Sequence, residues 1–108
     1  MALTITTRVA PPTAVLDLSG RLSFLDRSLQ ERVSALLGEG MRDFVLNLED
    51  VSYVDSCGLG QLAAIWTSIQ NQNGRVKLLR PNPRVRKLLD ITKLDSVFEI
   101  DVDETAAV

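Results

Sequence analysis

The spacing of apolar residues along this chain predicts a hairpin followed by strands that alternate with helices. Residues 3–9 and 13–18 partly alternate apolar and polar positions, as strands with one buried face do. Pro11-Pro12 separates these two runs, because proline offers no N–H to a strand ladder, and the short separation predicts a β-hairpin. Further strand-like runs cover residues 43–48, 75–79 and 98–102.

The first helix is predicted between the second and third strands. Ser23 and Asp26 match the S-x-x-[DE] capping box, so we expect this helix to begin near Phe24. Gly38 and Gly40 supply its end. The residues expected to face the core recur at helical spacing: Leu25, Leu29, Val33, Leu36 and Leu37.

Two more helices are predicted farther along the chain. The second runs from about residue 59 to residue 71, and Asn73-Gly74 forms the turn after it. The third begins at Asn82-Pro83, with asparagine as the cap and proline in the first turn. The expected core faces are Leu59, Leu62, Ala63, Trp66 and Ile69 in the second helix, and Val85, Leu88 and Leu89 in the third.

The resulting order is β-β-α-β-α-β-α-β, which predicts an α/β fold. Helical connections imply parallel pairing with right-handed crossovers, and the opening hairpin adds an antiparallel strand. We therefore expect one mixed sheet of four or five strands with helices packed against it. A length of 108 residues suits a single domain spanning residues 1–108, with a loose tail from about residue 104 to residue 108.

Composition excludes several classes of function. The chain has no histidine, so a Ser-His-Asp triad and histidine zinc ligands are both excluded, and its single cysteine cannot build a structural zinc site. The net charge of −2 provides no overall basic field for nucleic acid. These features predict a protein without enzymatic activity and without a cofactor or bound metal.

The chain also lacks the sequence features of membrane or exported proteins. No apolar run approaches the roughly 20 residues that span a bilayer. The N-terminus has no charged start followed by an apolar block, as a signal peptide would. One cysteine cannot form an internal disulfide, so we expect a cytoplasmic protein that does not bind membranes.

Charge is unevenly distributed near the C-terminus. Residues 75–93 contain one acid, Asp90, and residues 95–104 contain acids and no base. The seven basic residues are Arg75, Lys77, Arg80, Arg84, Arg86, Lys87 and Lys93. Two interpretations stay open: a solvated helix face and tail, or a docking face for an acidic partner.

The most informative stretch is Val54-Asp55-Ser56-Cys57-Gly58-Leu59-Gly60, between a predicted strand and a predicted helix. Ser56 falls near the helix start, where free backbone N–H groups and the positive end of the helix dipole meet. Such a position accommodates a phosphate, and it equally suits a serine whose hydroxyl only caps the helix.

Two enzymatic interpretations fit this stretch poorly. A nucleophile elbow needs G-x-S-x-G, whereas Val54 lies two residues before Ser56, and no histidine is present to act as the base. Residues 58–63 match G-x-G-x-x-A of dinucleotide-binding folds. That motif requires its glycines directly after the strand and an acid at the end of the next strand, where this chain has Leu79-Arg80.

Residues 45–60, Val-Leu-Asn-Leu-Glu-Asp-Val-Ser-Tyr-Val-Asp-Ser-Cys-Gly-Leu-Gly, resemble the signature of STAS-domain proteins, specifically the bacterial anti-sigma factor antagonists. The resemblance extends over nearly the whole chain. Ser19-Gly20-Arg21-Leu22 matches the glycine turn before the family's first helix, and residues 82–89 match the segment before its last strand.

The resemblance implies a partner-switching regulator. In the family, the unmodified antagonist binds an anti-sigma factor that is also a serine kinase of the histidine-kinase-like ATPase fold. The kinase phosphorylates the serine after the aspartate, here Ser56, and a metal-dependent serine phosphatase removes the phosphate. The resemblance places partner binding at Ser23, Asp55, Ser56, Cys57, Gly58 and Leu59.

Two positions depart from the family pattern. Cys57 stands where members often have serine or threonine. Ser23 stands where they usually have an aspartate, so the resemblance implies an altered contact with the kinase at Ser23. STAS domains also occur in transporter tails, stressosome scaffolds and lipid-transport complexes. The alternative function is therefore a STAS scaffold or regulatory subunit that does not act on a sigma factor.

Overall fold

A computed structural model describes residues 3–23 and 27–101 of the chain. Within these residues, five strands form one sheet in the order β1-β2-β3-β4-β5. The strands are β1 (Thr4–Ala10), β2 (Thr13–Leu22), β3 (Asp43–Val54), β4 (Arg75–Leu79) and β5 (Glu99–Asp101), and the helices are α1 (Ser28–Gly38), α2 (Ser56–Asn71) and α3 (Pro83–Ile91). β1 and β2 are antiparallel, and the other neighbouring strands are parallel. The predicted mixed α/β sheet is confirmed.

One face of the sheet and the helices enclose the apolar core of the described residues. Leu16 of β2, Leu46 of β3 and Leu78 of β4 are fully buried in it. The helices contribute Leu29, Val33, Leu36, Leu62, Ile65, Ile69, Val85 and Leu89. Since neighbouring strands follow one another in the chain and crossovers between parallel strands are right-handed, α1, α2 and α3 share this face.

The predicted core faces are correct in part. Leu37, Trp66 and Leu88 are half-buried against the core, and Ala63 is half-buried. Ile65, which the spacing does not predict, is only 2% exposed. The stripe of α2 is thus rotated from the predicted one. Leu25 lies outside the described residues.

β2 and β3 are both longer than the pattern predicts. The apolar pattern predicts a second strand over residues 13–18, but the strand continues to Leu22. The positive φ of Gly20, 109°, coincides with a register shift within this extension. β3 correspondingly continues past Leu48, and Leu22 pairs with Val54. The two extensions carry the sheet up to the Ser56 stretch.

The predicted start of the first helix is wrong. α1 begins at Ser28, and its N-cap residue, Arg27, makes no side-chain capping hydrogen bond. Ser23 instead follows the end of β2, and its backbone carbonyl accepts a hydrogen bond from the side chain of Gln61. Asp26 and Phe24, on which the capping box also depended, lie outside the described residues, as does the predicted tail. The end of the helix at Gly38 agrees with the prediction.

The opposite face of the sheet carries a polar cluster. The Arg8 guanidinium donates two hydrogen bonds to the Asp17 carboxylate, at 2.7 and 2.9 Å, and the Asn47 amide donates one at 2.8 Å. The hydrogen bond from Arg8 and that from Asn47 together outweigh partial burial and hold the pKa of Asp17 below its ordinary value. Its three residues lie outside the Ser56 stretch, residues 54–60, and the cluster is not part of the candidate site.

Candidate functional site

Asp55, not Ser56, caps the helix that follows β3. Asp55 has extended backbone angles, φ −100° and ψ −178°, and its Oδ1 accepts a hydrogen bond from the Gly58 N–H at 2.7 Å. This is the geometry of an N-cap, which satisfies one of the free N–H groups of the first turn. Ser56 is the first residue of α2, so its hydroxyl is not required for capping.

The Ser56 hydroxyl is accessible. Ser56 and Cys57 are both exposed, and the Ser56 side chain makes no hydrogen bond within the described part of the chain. Cys57 is a free thiol. A negative charge added at Ser56 would lie at the positive end of the α2 dipole, where it is favoured. The geometry therefore allows modification of Ser56 without rearrangement of the helix.

Gly58 allows the first turn of α2 to rest against the end of β2. A Cβ at position 58 would overlap the carbonyl oxygen of Leu22 and lie 3.1 Å from Cγ1 of Val54. The Asp55 N–H also donates to the Leu22 carbonyl, at 3.4 Å. The absence of a side chain at Gly58 thus fixes how closely the helix approaches the sheet.

Gln61 brings Ser23 to the same surface. Its Nε2 donates to the Ser23 carbonyl at 2.6 Å, while its side chain is 8% exposed. Its Oε1 is buried and has no hydrogen-bond partner among residues 3–23 and 27–101. The hydrogen bond links the segment after β2 to the second turn of α2, so Ser23 and Ser56 belong to one end of the molecule.

The residues predicted to bind a partner divide into two groups. Ser56 and Cys57 are exposed, and Ser23 and Asp55 are half-buried, so these four have surface available for contact. Gly58 and Leu59 are buried. Those two can affect a partner only through the shape of the turn that they support.

Three contacts near this site were not predicted from the sequence. Gln61 shares a helical row with the buried Ile65 and Ile69, one and two turns farther along, so its position in that row is a usable signal. The Arg21 guanidinium lies 4.3 Å from the centre of the Tyr53 ring, a cation–π contact. No residue type alone predicts that pair, because it depends on the register between β2 and β3.

The third unpredicted contact joins α3 to β3. The Asn82 amide Nδ2 donates to the Val51 carbonyl at 2.9 Å, while Oδ1 caps α3 through the Val85 N–H at 2.8 Å. The capping role of Asn82 agrees with the prediction. The bond to Val51 additionally fixes α3 beside the strand that leads to Ser56.

The glycines of the dinucleotide-like motif lie in the wrong element for that function. Gly58 and Gly60 are inside α2, which begins at Ser56, and not in a turn before the helix. A phosphate-binding turn requires glycines before the helix, where backbone N–H groups face the ligand. Within residues 3–23 and 27–101, no three His, Cys, Asp or Glu side chains are grouped as metal ligands would be.

Comparisons with known proteins place the chain in a family. The STAS domain family model matches residues 4–107. The chain belongs to the STAS domain family. An anti-sigma-B factor antagonist of Bacillus subtilis (strain 168) is 34% identical over 80 residues, which are 74% of this chain and 72% of that protein.

Solved structures agree with the assignment to the STAS family. The Bacillus cell fate determinant SpoIIAA, solved in its phosphorylated form, has a TM-score of 0.75 at 26% identity, covering 98% of this chain and 96% of that one. An anti-sigma factor antagonist from Mycobacterium paratuberculosis has a TM-score of 0.85 at 21% identity, covering 98% and 91%. The second likeness concerns the fold alone.

These STAS relatives carry names that describe regulators rather than enzymes. None of the helices in the described parts of the chain combines the length and apolar character of a membrane-spanning helix.

Proposed function

We propose that this STAS protein is an anti-sigma factor antagonist that acts by partner switching. In its unmodified form it binds an anti-sigma factor that is also a serine kinase of the histidine-kinase-like ATPase fold. Phosphorylation of Ser56 by that kinase releases it, and a metal-dependent serine phosphatase resets it. ATP and the metal belong to the partners, so the chain itself has no catalytic role and needs no cofactor. Its proposed location is the cytoplasm.

The observation that carries the proposal is the division of labour between Asp55 and Ser56. Asp55 caps α2 through the Gly58 N–H, which leaves the exposed Ser56 hydroxyl without an internal partner in the described residues. A kinase can approach such a hydroxyl directly. The names of the relatives, and the phosphorylated form of SpoIIAA, support the same function.

Charge provides the physical basis of release. A phosphoserine carries about −1.5 to −2 charges near neutral pH. It would lie beside Asp55 and close in sequence to the exposed acids Glu49 and Asp50. Added like charge at a contact surface brings repulsion and a desolvation cost, so the modified protein should dissociate from a partner that fits the unmodified hydroxyl.

Mapping the phosphate tests the proposal. The protein is incubated with the cognate anti-sigma kinase and ATP, and the modified residue is identified by mass spectrometry. We expect phosphate on Ser56 and none in a Ser56→Ala variant. Ser52 and Thr67 are internal controls, because both are exposed and both already donate a hydrogen bond to a backbone carbonyl.

Phosphate on Ser52 or Thr67 with Ser56 unmodified would refute the assignment. A stable complex with a partner that neither phosphorylates the protein nor binds a sigma factor would favour the STAS scaffold instead.

A further inference from the structure

We propose that α3 carries a second docking surface, which binds an acidic amphipathic helical segment of a partner protein. The surface is a groove of about 320 Å³ between α3 and the end of β3, here named the α3 groove. It is lined by Tyr53, Arg84, Val85, Lys87, Leu88 and Ile91. The inference rests on this geometry and does not depend on phosphorylation of Ser56.

The groove exists because α3 has apolar residues on two stripes, one facing the core and one beside it. Val85 and Leu89 form the first stripe and are fully buried in the core. Leu88 and Ile91 belong to a second stripe, which also contains Arg84 and Lys87 at helical spacing. The core covers this second stripe only in part, because Leu88 is half-buried against it whereas Ile91 is exposed.

Two of the large side chains that line the groove are exposed to solvent. Ile91 is 65% exposed and Tyr53 is 37% exposed, and the two line the same groove. A single exposed apolar side chain is ordinary, but apolar side chains grouped in a concave surface mark a binding site.

The charges around the groove favour an acidic occupant. Arg84 and Lys87 are exposed, and neither makes a hydrogen bond or ion pair within the described residues. Arg86, by contrast, is paired with Asp90 at 3.3 Å. Arg21 does not line the groove, but its guanidinium lies over the ring of Tyr53, which does. Carboxylates on a partner would therefore find unpaired guanidinium and ammonium groups beside the apolar floor.

The shape of the groove favours a protein segment over a membrane or a nucleic acid. Its floor is concave and apolar, as suits side chains spaced at i, i+3 and i+4 on a partner helix. The α3 groove has few cations, α3 itself carries Asp90, and the whole chain has a net charge of −2. Anionic lipid and nucleic acid call for a broader field of positive charge.

The α3 groove is also connected to the Ser56 end of the molecule. Tyr53 lies three residues before Ser56, and Asn82 holds the start of α3 against Val51. A partner seated in the groove would therefore lie beside the Ser56 surface.

A pair of designed peptides tests the inference. Each has about 18 residues, or five helical turns, with leucines at i, i+3, i+4 and i+7. One peptide carries glutamates beside the leucines, and its matched control carries lysines. Each is titrated into the full-length ¹⁵N-labelled protein, and backbone amide shifts are followed by NMR.

The acidic peptide should cause saturable shifts at Tyr53, Lys87, Leu88 and Ile91, and it should bind at least about tenfold more tightly than the lysine peptide. Ile91→Glu should weaken binding about tenfold, because it places a carboxylate in the apolar floor. Lys87→Glu should weaken it about fivefold. Arg75→Glu is the charge-matched control, because Arg75 is exposed and lies outside the groove. It should change binding less than about twofold.

Three results would overturn the inference. They are the absence of saturable shifts at millimolar acidic peptide, equal binding of the two peptides, and shifts confined to residues outside the groove. Binding of wild-type protein to phosphatidylglycerol vesicles that Ile91→Glu abolishes would reassign the groove to a membrane surface. Ile91 and Lys87 are exposed, so both variants should fold, and circular dichroism checks this.

Discussion

The helices α2 and α3 begin with nearly the same cap. Asp55 accepts a hydrogen bond from the Gly58 N–H at 2.7 Å, and Asn82 accepts one from the Val85 N–H at 2.8 Å. Both caps have extended backbone angles. The starts differ in the first helical residue, which is Ser56 in α2 and a proline in α3.

Under the proposed function, that difference separates a modification site from a structural one. Pro83 has no N–H and no reactive group, and the Asn82 amide is held by the Val51 carbonyl, so the start of α3 is suited to fixing the helix in place. The start of α2 instead presents a hydroxyl to solvent. The same capping geometry thus serves either role, and the residue after the cap decides which.

The largest expected effect comes from closing the space beneath α2. Gly58→Ala would place a Cβ against the Leu22 carbonyl, a backbone atom that cannot move aside. We expect a loss of about 3 kcal/mol in the free energy of unfolding. Urea denaturation followed by circular dichroism measures it.

Gly60→Ala is the matched control. Gly60 lies two residues farther along the same helix, and a Cβ there would meet no atom within 4 Å. Alanine is the better helix former, so this variant should gain about 0.5–1 kcal/mol. Equal losses in the two variants would show that the close approach of α2 to β2 is not what Gly58 provides.

The second prediction concerns the charge at the first residue of α2. Ser56→Asp should weaken binding to the anti-sigma partner by about 2 kcal/mol, roughly thirtyfold, because it adds charge beside Asp55. Ser56→Ala should retain binding and resist phosphorylation. The α2 dipole favours the added carboxylate, so both variants should fold. Isothermal titration calorimetry measures the affinities, and equal affinities would exclude a charge switch.

The third prediction compares the two caps directly. Asn82→Ala removes the cap of α3 and leaves the buried Val51 carbonyl without its donor, so we expect a loss of about 2 kcal/mol in stability. Asp55→Ala removes only a cap and should cost about 1 kcal/mol. If Asp55→Ala proved the more destabilising in thermal or urea unfolding, the start of α2 would have the structural role assigned here to α3.

The sequence predicts the start of α3 correctly and the start of α1 incorrectly. Asn82-Pro83 is a local signal, since cap and first turn are adjacent in the chain, and the structure agrees with it. The start of α1 was mispredicted from an equally local signal at Ser23. α1 begins at Ser28, and the Ser23 carbonyl accepts a hydrogen bond from Gln61, 38 residues away, a contact that no local pattern contains.

In the candidate site, too, some features follow from the local sequence and others do not. The position of Ser56 at a helix start follows from the strand, the glycines and the apolar spacing around it. The assignment of the cap to Asp55 rather than Ser56 depends on backbone angles, which two adjacent residues that are both good caps do not determine. The α3 groove depends on packing between β3 and α3, and the run of basic residues leaves a docking face open as only one of two interpretations.

The smallest expected effect concerns Cys57, the second residue of α2. Its side chain is exposed and carries a free thiol. Arg84, the corresponding residue of α3, lines the α3 groove. The question is whether the Cys57 side chain also contacts a partner protein. We expect none: Cys57→Ser should change stability by less than about 0.5 kcal/mol, as exposed substitutions usually do. Affinity for the anti-sigma partner and the rate of Ser56 phosphorylation should match those of the wild type when both proteins are kept reduced. A tenfold loss of binding with unchanged circular dichroism would make the thiol part of the contact surface, and the second position of each helix would then serve recognition.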